Sequence, residues 1–317
     1  MQTIAEQIHK IMLHSRRSFI TKSALAITAT AILPDYLMAG VEAKKILGLQ
    51  LYSVRDDMGK DPSGTLKQLA GMGYKYVEHA NYINRKFYGY SQKEFKSLLD
   101  GLGLKMPSGH TRMDPKHWDA VSKDFTDEWK QTVEDAAAMG QQYVISPWLD
   151  ESLRKTYDDL LRYMEVFNKC GELCKKSGMQ FGYHNHDFEF GTRLNDKTIF
   201  DIILQNTDPA LVAQQLDIGN MYNAGAKALD IMGAYPGRFV SMHVKDEIKS
   251  TGTGGNQHER YESTILGKGI LPVKEIIDLG KKSGTTLFII EQESYQGISP
   301  LECCKEDLKI MHGWKYK

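Results

Sequence analysis

Four stretches in the second half of the chain end in side chains that bind metal ions or move protons: His184-Asn185-His186-Asp187, Asp217-Ile218-Gly219-Asn220, His243-Val244-Lys245-Asp246 and Glu291-Gln292-Glu293. Each closes a short run rich in β-branched and aromatic residues. A lone His or Asp at a strand end more often caps a helix or joins a rim hydrogen bond, but four endings in succession ask for another explanation. Neighbouring parallel strands lie about 4.8 Å apart, so ligands at adjacent strand ends can converge on one ion at about 2.0 to 2.2 Å. Two imidazoles with two carboxylates suit Mn, Co or Zn; Ca takes oxygen alone, and structural zinc favours thiolates. An ion with open positions suits a substrate carrying adjacent hydroxyl and carbonyl oxygens, because it stabilises the enediolate formed on proton loss. Isomerisation, epimerisation and elimination share that intermediate.

The elements that must hold these residues recur from about residue 45 onward: a helical stretch stops at glycine, a β-rich run follows, and the run closes in polar residues. The runs are Leu47–Tyr52, Tyr74–His79, Lys105–His110, Tyr143–Pro147, Gln180–His184, Val212–Asp217, Phe239–Val244 and Thr286–Glu291. Between them, Ser91 and Glu94 make a capping box ahead of Phe95, Leu98 and Leu99, and Asp61 precedes Pro62 as cap and first helical residue. Gly73, Gly103, Gly140, Gly178 and Gly284 read as helix stops. Strands alternating with helices predict a parallel sheet covered by helices, and eight runs are the number a closed (β/α)8 TIM barrel needs within about 250 residues. No shift in composition divides residues 44–317, which are expected to form one domain. An open doubly wound sheet would want a glycine-rich phosphate loop after its first strand, where Leu51-Tyr52-Ser53-Val54-Arg55 stands instead.

Lys plus Arg equals Asp plus Glu at 40 each in 317 residues, so no net field draws the chain to nucleic acid or an anionic membrane. Cys170, Cys174, Cys303 and Cys304 lack zinc-site spacing and are assigned no chemistry, and Cys170 and Cys174, four apart on a predicted helix, read as buried apolar thiols. Ahead of the barrel, Ser15-Arg16-Arg17-Ser18-Phe19-Ile20 and the apolar stretch Ala24 to Leu33 have the layout of a twin-arginine export signal. The stretch is too short to span a membrane, and Ala39, Gly40 and Ala43 offer cleavage points. Residues 1–43 are therefore read as signal and linker, with a folded protein delivered to the periplasm and no membrane anchor left after cleavage. A homo-oligomer is compatible with the sequence.

The segments Gly182 to Phe190, Leu216 to Asn220, His243 to Asp246, Leu266-Gly267-Lys268-Gly269 and Ile290 to Glu293, in this order, resemble the xylose-isomerase-like barrel superfamily of sugar isomerases and epimerases. The resemblance covers Leu47 to the carboxyl end and implies one divalent metal, Mn before Co or Zn, held by residues of strands five to eight. By position these are His184, Asp217, His243 and Glu291. The first departs from the pattern, which has Glu there; the site gives up a negative charge, and His186 is the alternative to His184 as ligand. Asn220 is a second departure, from His. The epimerase branch takes bases from strands four and eight, yet the fourth run ends Ser146-Pro147-Trp148 without a Glu. Candidate bases are then His110, Lys245, Glu293, and Glu78 or His79. Tyr52 and Trp148 offer aromatic walls, and Arg55, Lys245, His186, Asn220 and Asp246 offer contacts to substrate oxygens.

Export and the absence of a Lys/Arg clamp favour a non-phosphorylated sugar or sugar derivative. The first expectation is an isomerase or epimerase; the alternative is a lyase that cleaves 3-keto-glycosides, proton loss from C2 expelling the C1 substituent. A non-catalytic sugar-binding barrel is a remote third reading. An apurinic-site endonuclease shares the barrel but needs a metal cluster and a basic DNA face. The glycine-rich loop Thr251–Tyr261, with His258 and Arg260, is placed either as a lid or as a surface excursion.

Overall fold

The computed structural model describes residues 45–250 and 260–316. The proposed signal at residues 1–43 and loop residues 251–259, including His258, lie outside the described residues.

Eight strands close into a parallel barrel. They are β1 (Ile46–Gln50), β2 (Tyr76–His79), β3 (Lys105–His110), β4 (Tyr143–Ser146), β5 (Gln180–His184), β6 (Val212–Asp217), β7 (Phe239–Val244) and β8 (Leu287–Ile290). Each pairs with its neighbours in sequence, and β8 returns to β1 with Leu47 opposite Phe288 and Leu49 opposite Ile290. Four runs expected from sequence match the strands end to end, three are trimmed, and the first is shifted, beginning one residue earlier at Ile46. The second begins at Tyr76 because Tyr74 turns inward before it, its hydroxyl donating to the Cys304 carbonyl at 2.7 Å. The first ends at Gln50, whose side chain accepts from the Tyr52 amide and starts a 3-10 turn over Leu51–Val54.

The helices that follow the strands are α1 (Pro62–Met72), α2 (Gln92–Gly101), α3 (Asp127–Ala138), α4 (Tyr157–Lys176), α5 (Ile199–Asn206), α6 (Ala228–Ala234), α7 (Val273–Lys282) and α8 (Pro300–Gly313). The starts read from sequence are built as expected: Asp61 accepts from the Gly64 amide at 2.9 Å, and both halves of the Ser91–Glu94 capping box form. None of the helices among the described residues is long and apolar enough to cross a membrane. All four cysteines are buried and unpaired.

Apolar residues fill the shell between strands and helices, with Phe95, Leu66 and Val77 in one part and Phe167, Phe181 and Val212 in another. The barrel interior near the carboxyl ends is instead polar: Gln50, Glu78, Ser108, Gln215, Ser241 and His243 are all buried there. Two irregularities in strand register bracket this layer, one between Tyr76 and Glu78 and one between Gln214 and Gln215. Such bulges re-aim side chains, here Glu78 and Gln215.

At Gly171, α4 crosses the start of β6 so closely that an added Cβ would sit 2.5 Å from the Leu211 carbonyl oxygen. Gly171→Ala should therefore lower the thermal midpoint, since overpacking costs about 1 to 3 kcal/mol against a helix-propensity gain of about 1 kcal/mol. An unchanged or raised midpoint would show that the contact relaxes freely.

Candidate metal centre

Four ligand-type atoms, one each from β5, β6, β7 and the residue after β8, lie near one another. His243 Nδ1 lies 2.9 Å from Glu291 Oε2 and 3.6 Å from Asp217 Oδ2, and His184 Nε2 lies 3.7 Å from the same Asp217 oxygen. Ligands bound at about 2.1 Å to one ion stand roughly 3.0 to 3.5 Å from each other by simple geometry, so His243, Glu291 and Asp217 come close to that spacing and His184 stands just beyond it. Asp217 divides its work: Oδ1 accepts from the Gly219 and Asn220 amides at 3.0 and 2.7 Å and caps the turn after β6. Its Oδ2 is buried without a hydrogen bond and stands 3.0 Å from the Lys245 ammonium. That ammonium also lies 2.8 Å from Glu291 Oε2 and is ion-paired with Glu293.

The charges are mutually supporting. Burial works against the Lys245 ammonium, yet Asp217, Glu291 and Glu293 raise its pKa well above the usual lysine value. Burial likewise works against the Glu291 carboxylate, and Lys245 with His243 holds it well below the usual range. His184 is pushed down by burial and then by the imidazoles of His243 and His110, so it is neutral and has a lone pair to offer. A cavity that stabilises cations this strongly is suited to a divalent ion, and Asp217, His243 and Glu291 form a group that could hold one.

The ring orientations are set from beneath by Glu78, whose carboxylate is wholly buried. It accepts from Gln50 Nε2 at 2.8 Å, Gln215 Nε2 at 2.9 Å and His243 Nε2 at 2.6 Å, and from the Ser108 hydroxyl. Burial alone would raise its pKa, but His110, His243 and these hydrogen bonds bring it down to about 2. His243 therefore donates from Nε2 to Glu78 and turns Nδ1 toward Asp217 and Glu291, and burial, which works against the charged ring, is outweighed by Glu291 and Glu78, which raise its pKa well above the usual imidazole value. Gln215 orients His184 in the same way. Its amide donates to Glu78 and to Ser241 at 3.0 Å, so its oxygen accepts, from His110 Nε2 at 2.7 Å and His184 Nδ1 at 3.0 Å. His184 is thereby protonated on Nδ1 and presents Nε2 to Asp217.

This arrangement brings His184, and not His186, to the cluster. His186 turns against Trp148, with ring centroids 5.3 Å apart, while its backbone amide donates to Glu189 at 2.9 Å. Above the cluster, a cavity of about 530 Å³ is lined by Tyr52, His110, Trp148, His184, His186, Asn220, Glu291 and Glu293 among others. Tyr82, Ile83, Thr111 and Arg112 also line it and were missed in sequence, because loops carry no periodicity to mark them. Of the expected bases and substrate contacts, Glu78, His79, Asp246, Arg55 and Lys245 do not line the cavity, Lys245 being held in the ion pairs above. Glu78 lies below the cavity. His79 points to the opposite face of β2, where it packs edge-on against Phe87 at 4.9 Å. Asp246 spends its carboxylate on the amides of Glu247, Gly267, Gly269 and Leu271, folding the Leu266–Gly269 segment back onto β7. Arg55 supports the wall from behind through Tyr295 Oη at 2.8 Å and the Glu293 carbonyl at 3.2 Å.

Glu78→Gln, which keeps the shape and removes the charge, should weaken divalent-metal affinity about 10- to 100-fold, read by calorimetric titration. Unchanged affinity would separate Glu78 from the ion. A second outcome concerns Glu189, which is wholly buried against Tyr183 Oη and the His186 amide. Burial pushes its carboxyl up to about 8, so the fold holds a proton that the unfolded chain releases near pH 4.3. Stability from this group is complete below about pH 4.3 and falls by about 1.4 kcal/mol per unit as pH rises, levelling off above pH 8. Glu189→Gln should flatten that slope in thermal midpoints taken across the range; parallel curves for variant and parent would refute the assignment.

The profile of a family described as xylose isomerase-like TIM barrel matches residues 66–313. Inosose dehydratase of Clostridium perfringens is 29% identical over 140 residues, 41% of this chain and 46% of that protein. Inosose dehydratase of Bacillus licheniformis is 25% identical over 169 residues, 49% of this chain and 55% of that protein. The chain spans about half the length of these curated relatives. A crystal structure of a sugar phosphate isomerase/epimerase from Parabacteroides distasonis superposes with a TM-score of 0.70 at 25% identity, covering 86% of this chain and 95% of that one. With the closed barrel, the ordered strand-end motifs and a profile match over most of its length, the chain belongs to the xylose isomerase-like TIM barrel family.

Proposed function

We propose that the protein is a metal-dependent carbon–oxygen lyase that removes a group β to a carbonyl from a non-phosphorylated sugar or sugar-like ring. The observation that carries this reading is the pairing of Glu293 with Lys245 beside the metal centre, with no second carboxylate from β4. The strand ends at Ser146, whose hydroxyl is engaged by the Met113 amide at 3.1 Å and the Trp148 carbonyl at 3.2 Å. Epimerisation wants a base on each face of the reacting carbon; elimination wants one base and one acid. The half-buried Glu293 carboxyl, raised by burial against the pull of Lys245, is the base, and the Lys245 ammonium is the acid that protonates the departing oxygen.

His184, Asp217, His243 and Glu291 would hold the ion, Mn before Co or Zn given two nitrogens and two carboxylates. Bound there, it supplies Lewis-acid contact to the carbonyl and adjacent hydroxyl oxygens. Asn220 and His186 orient hydroxyls at the wall, and Tyr52 and Trp148 cover ring faces. Arg112 is occupied by Asp114 and by Asp150 at 3.2 Å, so it is not free to clamp a phosphate. Inosose dehydratases among the relatives carry out chemistry of this type by name, and the amino-terminal export signal would deliver the enzyme to the periplasm. An isomerase or epimerase is the second reading, favoured by His110 and His186 in the same cavity: burial lowers both pKa values, His186 to about 4, leaving neutral imidazoles that could serve as a further base.

The test is incubation of the Mn-loaded protein with inososes, free ketoses and 3-keto-glycosides in deuterated water. A lyase releases water or the glycosidic substituent and leaves an unsaturated ketone; a deuterated saturated isomer would establish the second reading, and no carbon–deuterium exchange would reject both. His243→Ala and Glu291→Ala should each lose metal and turnover while remaining folded, as strand-end residues serve the site more than the core. Turnover in either variant would remove these residues from the ligand set.

A further inference from the structure

Glu293 lies three residues beyond the end of β8, on a stretch without regular structure, so no strand ladder fixes it. Its main chain is held from elsewhere. The Ser263 hydroxyl oxygen accepts from the Glu293 amide at 2.7 Å and from the Ser294 amide at 2.9 Å, which uses both of its lone pairs. We propose that Ser263 is a positioning residue for Glu293, so that the segment following β7, and not β8 itself, sets where this carboxylate stands; this rests on the reading of Glu293 as the base.

Ser263 is buried and belongs to an antiparallel pair, Asp246–Lys249 with Tyr261–Thr264, in which it stands opposite Glu247. That pair begins directly after Lys245, and the Asp246 carboxylate anchors it by accepting from the Gly267, Gly269 and Leu271 amides. One stretch of chain therefore grips Glu293 twice, its carboxylate through the Lys245 ammonium and its amide through Ser263. The other side is closed by Arg55, which donates to the Glu293 carbonyl at 3.2 Å, and by the Ser53 hydroxyl, which accepts from the Gln292 amide at 3.1 Å. The ligand Glu291 is held differently, its amide donating to the Val244 carbonyl at 3.2 Å. Two acids on one short segment thus have separate main-chain supports.

Ser263 does not line the cavity over the metal centre, so it meets the substrate only through Glu293, which does. A side chain that merely filled space at this position would need no oxygen; accepting two consecutive amides does. Without that acceptor the main chain at Glu293 loses one of its two clamps, and the carboxylate moves with it. Misplacing a reacting group by about 1 Å costs on the order of 100-fold in rate.

Two measurements on the whole protein check this. Amide hydrogen exchange read by mass spectrometry needs neither metal nor substrate: in Ser263→Ala the peptide carrying residues 291–296 should exchange about tenfold faster than in the parent, with peptides from β5 to β7 unchanged. Ser263→Cys, which fills the same space but accepts weakly, should show the same change. With the inososes and 3-keto-glycosides named above as probes for the Mn-loaded protein, kcat for carbon–deuterium exchange should fall about 10- to 100-fold in either variant. KM and calorimetric Mn affinity should stay within about twofold, since neither substrate binding nor the ligand set is touched. Added to Glu293→Gln, Ser263→Ala should cost nothing further, because residues that act as a unit are not additive. Unchanged amide exchange in both Ser263 variants, or the same fold loss in the Glu293→Gln background as in the parent, would overturn the positioning role and leave Glu293 as the base. Parent-like turnover in Glu293→Gln, or no exchange by the parent on any probe, would overturn the base reading and the positioning of a base with it.

Discussion

The carboxylate of Glu78, ionised and without solvent inside a closed barrel, is the constraint on which the centre depends. A buried charge of this kind is tolerated only when its hydrogen-bonding capacity is met. Here the donors arrive from four other strands: Gln50 on β1, Ser108 on β3, Gln215 on β6 and His243 on β7. Barrels of this type usually fill their interior with branched apolar residues. Replacing one layer with a shared anion fixes something an apolar layer cannot, namely which ring nitrogen of His243 and, through Gln215, of His184 is turned toward Asp217.

From that orientation the electrostatics of the pocket follow. Asp217, Glu291 and Glu293 crowd around the ammonium of Lys245, and Glu78, Asp217 and Glu291 face His243 and raise its pKa, while burial keeps His184 and His186 neutral. Negative charge in excess, held in a low-dielectric space, favours any cation that enters. The His that stands where a Glu is expected removes one unit of that excess, so His184 moderates the centre without abolishing its preference for positive charge.

The eight strands and the residues at their ends were legible in the sequence because strand ends in a closed barrel all face one way, so a motif's place in the chain fixes its place in space. Depth and face were less legible. His184 and His186 sit on the same side of an extended chain, and nothing local tells which one meets Asp217; the answer lies in Gln215, on another strand. Glu78 was recognisable as a strand-end acid, but its role depends on a shift in strand register that puts it below the pocket. Asp246 looked like a substrate contact beside Lys245, yet amides some twenty residues later claim its carboxylate. Each misplacement involves a residue whose partner is distant in sequence, which is the information a single chain read by local pattern does not carry.

The division between strand ends and loops also separates two kinds of selectivity. Atoms fixed by β5 to β8 are tied to the polar layer and cannot move without disturbing Glu78, so the type of chemistry is rigidly held. The hairpin after β2, tied to α3 through Arg85 and Asp135, and the loop after β3, where Arg112 pairs with Asp114 and Asp150, make no ion pair with those atoms. Their side chains can vary in size without altering the protonation of a single ligand. A pocket wall built this way can change what leaves the substrate while the way it leaves stays the same, because the two depend on hydrogen-bond networks that share no member.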